Sequence, residues 1–439
     1  MFGAFAPSST ARNMRTRTPA MIASVLIVAV CAALAAAPAR AQMMLVPMDL
    51  EQTNHLKAYG LAYRALVRGN QVEWLLNYRG GSFLMPLSQD NVLDARLKDV
   101  RYEEVSGSQV VRIKTEIEQD NMEMVHLEKA PKVAVYIPPV AQPWDDAVTL
   151  AMTYAEIPYA KVFDEEVLAG DLAKYDWLHL HHEDFTGQYG KFYAAYRTAE
   201  WYQKQQRDFE SRAHKLGFSK VSEEKKAVAE KIRDYVQGGG FLFAMCSACD
   251  SYDIALSARG VDVVAAEFDY DGITPGYQDK LDYDRCFAFT GFRLITNPFV
   301  YEFSDIDTSD YVRARGADSD YFTLFEFSAK YDPVPAMLTQ NHVSIVKGFL
   351  GQTTGFKKDL VKNSVVILGE DAVHSEVKYL HGNFGRGTFT YLGGHDPEDY
   401  QHAVGDPPTD LSLHTTSPGY RLILNNVLFP AAEKKKLKT

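Results

Sequence analysis

Residues 238–250 read G-G-G-F-L-F-A-M-C-S-A-C-D. A glycine-rich entry runs into an apolar strand, then a cysteine between small residues, then a helix. The pattern predicts Cys246 on a tight strand-to-helix corner, where helix amides favour a thiolate and small neighbours let the turn close. Residues 393–400, G-G-H-D-P-E-D-Y, end a second strand on His395 with carboxylates beside it. A cysteine and a histidine at the carboxyl ends of parallel strands form the layout of a nucleophile and its base. On this reading Cys246 attacks, His395 moves the proton, Glu398 or Asp396 orients the imidazole, and corner amides form the oxyanion hole. Gly239, Gly240, Ser247, His181 and Glu183 are expected to line the substrate site. The reading calls for no metal and no cofactor.

A second cluster lies in residues 176–184, D-W-L-H-L-H-H-E-D. Alternation along a strand puts His179 and His181 on one face and His182 on the other. A metal-dependent hydrolase built on His181, His182, Glu183 and His395 is the alternative chemistry. Cys246 and Cys249 form a C-x-x-C at a helix start, open to redox work or a local disulfide. Asp269-Tyr270-Asp271-Gly272 hints at a calcium loop but lacks the twelve-residue pattern. His402 and His414 sit in a Pro/Asp-rich loop and carry little signal.

These residues need a scaffold. Residues 133–137, 159–163, 176–182 and 241–245 read as strands, with helices at 144–157, from Ser222 onward, and at 250–258. Strands alternating with helices at this spacing predict an α/β fold with a flavodoxin-like, doubly wound parallel sheet. Strands return at 364–368 and 387–392, and 420–429 reads as a closing helix. Two insertions interrupt the series, at about 185–217 and 266–347. The first is rich in Tyr, Phe, Trp and Gln and suits the mouth of a site, or sugar stacking. Upstream, residues 42–130 predict a small N-terminal α/β lobe with a β-α-β start and a last helix over 109–127.

The first 41 residues read as a secretory leader: Arg12, Arg15 and Arg17, an apolar run over 21–37, and Ala39-Arg40-Ala41 as cleavage site. The expected location is periplasmic or secreted, with a cut after Ala41 and no membrane span afterwards. The chain carries 46 basic and 57 acidic residues. The leader holds four Arg and no acid, so the remainder is near −15, which argues against a nucleic-acid partner. The expected partner is a small molecule or a carbohydrate. Three cysteines remain, which excludes a disulfide scaffold. The basic tail at 431–439 reads as a solvated end.

Residues 238–250, residues 385–398 (G-R-G-T-F-T-Y-L-G-G-H-D-P-E) and the closing helix together resemble the trehalose-utilisation (ThuA-like) family. The resemblance spans about 131–430 and implies a class I glutamine amidotransferase-like superfamily domain with a flavodoxin-like sheet. ThuA-like proteins commonly place a histidine where this chain has Cys246. The cysteine is similar to the nucleophile of true class I amidotransferases, whose flanking glycines are Met245, Ser247 and Ala248 here. The resemblance implies an exported hydrolase of an amide or related acyl bond, with a non-catalytic carbohydrate or envelope-ligand binding module as the alternative. Through M-D-L-E-Q-T-N-H-L-K-A-Y-G and Q-P-W-D-D-A-V, the chain also resembles exported proteins labelled asparagine synthetase B. The S-G-G-x-D-S loop of that chemistry is absent.

Overall fold

The computed structural model describes residues 1–4, 6, 42–140, 142–332 and 335–433. Residue 5 and residues 7–41 of the expected leader, with its apolar run and cleavage site, and the last six residues of the basic tail lie outside the described residues. Fifteen strands are named in chain order: β1 (Met43–Val46), β2 (Val72–Leu76), β3 (Ser82–Pro86), β4 (Glu103–Val105), β5 (Glu123–Leu127), β6 (Val133–Tyr136), β7 (Ala160–Val162), β8 (Trp177–Leu180), β9 (Phe241–Met245), β10 (Tyr321–Leu324), β11 (Ile345–Lys347), β12 (Phe356–Lys357), β13 (Val366–Asp371), β14 (Glu376–Phe384) and β15 (Gly387–Leu392).

The main body is α/β with a mixed ten-stranded sheet, ordered β11-β10-β13-β14-β15-β9-β8-β6-β7, with β12 on β14. The run β15-β9-β8-β6-β7 is parallel, and β14, β13, β10 and β11 continue it antiparallel. The parallel strands are apolar because helices cover both faces. Val133, Val135, Trp177 and Phe243 pack toward helices Ala147–Ala155 and Pro418–Leu428. Ala134, Leu178, Leu242 and Ala244 pack toward helices Val221–Gln237 and Ala248–Ser257. Helix Val221–Gln237 turns Val228, Ile232 and Val236 inward at four-residue spacing.

The N-terminal lobe opens with the expected β-α-β order: β1, helix His55–Val67 and β2. Its five strands form an antiparallel sheet, β4-β1-β3-β2-β5. The helix expected over 109–127 splits: helix Gly107–Gln119 ends where Asp120 turns extended, and the chain returns as β5. The 266–347 insertion, read as an interruption of the series, supplies β10 and β11 to the main sheet. Arg421, wholly buried on helix Pro418–Leu428, ties body to lobe by donating to Met48 O (2.7 Å), Tyr59 Oη (3.1 Å) and Gly80 O. No helix among the described residues is long and apolar enough to cross a membrane.

Candidate functional site

Parallel β6, β8, β9 and β15 deliver their next residues to one rim of the sheet. Leu392 is in register with Met245, and Leu180 with Ala244. Cys246, His181 and His395 therefore leave the sheet as neighbours. From β6 the chain reaches Asp145 and Asp146 at the start of helix Ala147–Ala155, where Asp146 caps the helix by accepting the Thr149 N–H at 2.9 Å. The cap fixes that carboxylate against two rings, 3.4 Å from His179 Nε2 and 3.4 Å from His181 Nδ1. Burial opposes the charge, yet these histidines hold Asp146 well below the usual carboxylate range.

The rim opens into a cleft of about 280 Å³. Cys246, His395, His182 and His402 line it together. Two segments some 150 positions apart thus meet at one cavity. Cys246 has φ 51°, the left-handed conformation that non-glycine residues rarely hold and that marks strained corners at functional sites. Its sulfur accepts the Gln352 N–H at 3.2 Å. Among the described residues no hydrogen bond joins that sulfur to His395. Burial pushes the thiol up to about 11.

The expected orienting carboxylates face elsewhere. Glu398 pairs with His414 at 3.0 Å. Asp396 accepts from Tyr420 Oη (2.8 Å) and Thr409 Oγ1 (2.7 Å) and anchors its own loop. Neither touches His395. Instead His395 Nδ1 lies 3.1 Å from His181 Nε2, and His181 in turn faces Asp146. His181 is thus a support behind the cleft rather than a substrate contact. Glu183 accepts the His181 N–H at 3.1 Å and borders a smaller inner cavity with His182. Burial, then the Asp146 charge, raises Glu183 to about 7.

Gly239 and Gly240 lie at the opposite, amino end of β9, beside Lys129, Asp176 and Tyr235. Gly240 is needed there because a Cβ would strike the Tyr235 ring. Ser247 is buried at the start of helix Ala248–Ser257, its hydroxyl without a partner. These three do not line the cleft. Cys249 is buried as a free thiol, and the Asp269–Asp271 segment bonds the Lys220 ammonium.

Asp145, which the sequence left unmarked, and His402, to which it gave little weight, complete the rim. His402 Nε2 lies 2.7 Å from Asp145 Oδ1, and His395 Nε2 lies 4.0 Å from the same oxygen. One ligand atom from each of Asp145, His395 and His402 falls within 4.8 Å of the others. Both Asp145 oxygens and both Nε2 atoms are buried without an aligned hydrogen bond. Each ring's other nitrogen is held from behind: His402 Nδ1 by Asp399 Oδ2 at 2.9 Å, His395 Nδ1 by His181. Contact with Asp145 first, and with Asp399, raises His402 to about 9, whereas burial and the neighbouring imidazoles hold His395 well below its ordinary value. His181, His182 and His395 form a second, overlapping group at metal-ligand spacing.

No family model and no curated protein matches this chain. Among solved structures, it is similar to a cytoplasmic protein from Salmonella typhimurium, at 11% identity and TM-score 0.33 over 69% of this chain and 100% of that one. A second cytoplasmic protein, from Salmonella typhimurium LT2, gives 12% identity and TM-score 0.36 over the same shares. A β-galactosidase from Bacillus circulans sp. alkalophilus gives 11% and 0.25, over 65% of this chain and 31% of its own. At such values the likeness does not extend to function.

Proposed function

We propose that the protein is a metal-dependent hydrolase of an amide or related acyl bond, with a divalent cation held by Asp145, His395 and His402. One observation carries the reading: the Asp145 carboxylate and the Nε2 atoms of His395 and His402 converge in one buried group, with only the 2.7 Å His402–Asp145 pair in close contact among them, while both imidazoles are braced from behind. Two histidines and a carboxylate suit zinc or another divalent transition metal, and braced second nitrogens are the habit of metal-ligating histidines. Such a cation supplies Lewis acidity and acidifies a bound water. His182 lines the same cleft with Nδ1 unbonded and stands as proton acceptor. The order β7-β6-β8-β9-β15 equals 2-1-3-4-5 in chain order, which supports the flavodoxin-like reading and, with it, the amidotransferase-like affinity.

A second reading keeps Cys246 as nucleophile and His395 as base, oriented by His181 and Asp146 in place of Glu398. The strained φ of Cys246 and the shared cleft favour it. Against it stand the buried, high-pKa thiol and the lack of a sulfur–imidazole hydrogen bond. Hydrolysis of p-nitrophenyl acetate and acyl-amide panels separates the two. The metal reading expects loss with dipicolinate, recovery with Zn²⁺ or Co²⁺, loss in His402→Ala, and retention in Cys246→Ser. Turnover that survives the chelator and vanishes in Cys246→Ser transfers the site to the cysteine.

A further inference from the structure

The histidines and Cys246 share the cleft with an aromatic wall that adjoins them: Trp144 packs on Phe192 at 5.1 Å, and Phe192 on Tyr301 at 5.7 Å. These three rings line the cleft: Trp144 from the loop after β6, Phe192 from the first insertion and Tyr301 from the second. The wall holds its shape independently of any ligand, because Trp201 braces Trp144 edge-on at 5.5 Å and His182 meets Trp144 edge-on at 5.2 Å. The Trp144 Nε1–H is buried and unbonded. Aromatic faces of this kind take a flat or apolar ring, each such contact adding about 0.5–1.5 kcal/mol beyond area burial.

Arg313 is the single Lys or Arg among the described residues lining the cleft. It comes from helix Ser309–Arg315, and its ion-pair partner is Asp310, three residues earlier, at 3.2 Å. Both side chains are solvent-exposed, so the pair is weak and open to exchange. A guanidinium in this state matches a carboxylate in bidentate geometry.

We propose that this site takes an N-acylated amino acid: a large flat acyl group on the Trp144–Phe192–Tyr301 wall and a free carboxylate at Arg313. The bond to be cleaved then lies between the two anchors, opposite Asp145, His395 and His402. That last placement rests on the metal-centre reading, whereas the two anchors do not. In the hydrolysis, water adds to the acyl carbon, the C–N bond breaks, and the water's protons end on the leaving amine and the released acid.

Calorimetric titration of the whole protein with three probes tests the anchors: N-benzoylglycine, its amide N-benzoylglycinamide, and N-acetylglycine. N-benzoylglycine is expected to bind about tenfold more tightly than either analogue, a difference of about 1.4 kcal/mol. Arg313→Gln should bring N-benzoylglycine to the level of its amide without changing bound metal. Phe192→Leu should bring it toward N-acetylglycine. Equal affinity for the three probes, a carboxylate preference that persists in Arg313→Gln, or no binding by any probe would overturn the proposal. Chelator-treated protein separates the two readings: retained preference without bound metal leaves the anchors standing even where the metal centre fails.

Discussion

His395 Nδ1 lies 3.1 Å from His181 Nε2, so the cleft imidazole is oriented by another imidazole rather than by a neighbouring carboxylate. His181 is itself held against Asp146. If the His181 Nδ1–H points at Asp146 and the His395 Nδ1–H at His181, the lone pair of His395 Nε2 faces Asp145 and the cleft. Both candidate chemistries need that tautomer, so the Asp146–His181 support matters to either.

Asp146→Asn tests the support while sparing the helix. Asparagine caps a helix as well as aspartate, so the fold should lose little. The charge that fixes the His181 tautomer is gone, and zinc affinity should fall about 10- to 100-fold, measured by competition with a chromophoric chelator. Unchanged zinc affinity would remove Asp146 from the account.

Cys246 should react slowly. It is 3% exposed and its thiol is raised to about 11, so little thiolate exists at neutral pH. Iodoacetamide labelling followed by peptide mass spectrometry should show a rate below that of a free cysteine at pH 7.5, rising as pH climbs toward 11. Rapid labelling at neutral pH would instead favour the cysteine nucleophile.

Gly351 is placed where a side chain cannot go. A Cβ there would lie 2.8 Å from Gly394 Cα and 2.8 Å from His395 N. Gly351→Ala should push the His395 turn outward and weaken zinc binding by at least tenfold, with global unfolding shifted by about 1–3 kcal/mol. Zinc binding equal to that of the parent would show that the turn yields without moving the imidazole.

Away from the cleft, Glu224 is buried beside Asp164 and Lys225, with both oxygens lacking an aligned hydrogen bond. Burial raises its carboxyl from 4.5 to about 8. The folded value exceeds the unfolded one, so its contribution is complete below about 4.5 and is lost as pH rises through 8. Unfolding free energies from urea titrations should therefore fall between about pH 5 and pH 8 more in the parent than in Glu224→Gln, by more than about 1 kcal/mol. Parallel pH curves for the two proteins would contradict this.

The parallel strands and the Cys246 corner were legible because each is a short apolar run bounded by turn residues, a signal carried within ten positions. His395 was legible for the same reason. β14 was missed: its E-V-K-Y-L-H-G-N-F mixes Lys, His, Gly and Asn into a strand whose polar groups are satisfied inside the fold, as where Lys378 donates to Thr354 O at 2.7 Å. The end of the lobe's last helix was misread because Val125 and Leu127 extend an apolar pattern that fits helix or strand alike, and the chain returns there as β5. Asp145 and His402 escaped because loops 257 positions apart supply them, and no spacing rule links such residues. A faint signal existed in W-D-D-A-V, where one aspartate suffices to cap the helix and the other has no local task. The His402–Asp399 pair, three apart, was the other.

Metal content decides the central claim. Protein prepared without chelator and dialysed against metal-free buffer should carry about one equivalent of zinc or another divalent transition metal by mass spectrometry. His402→Ala and Asp145→Ala should each carry far less while keeping the parent's circular dichroism. A parent protein with no bound metal, and no micromolar uptake of Zn²⁺, Co²⁺ or Mn²⁺ on titration, would contradict the account.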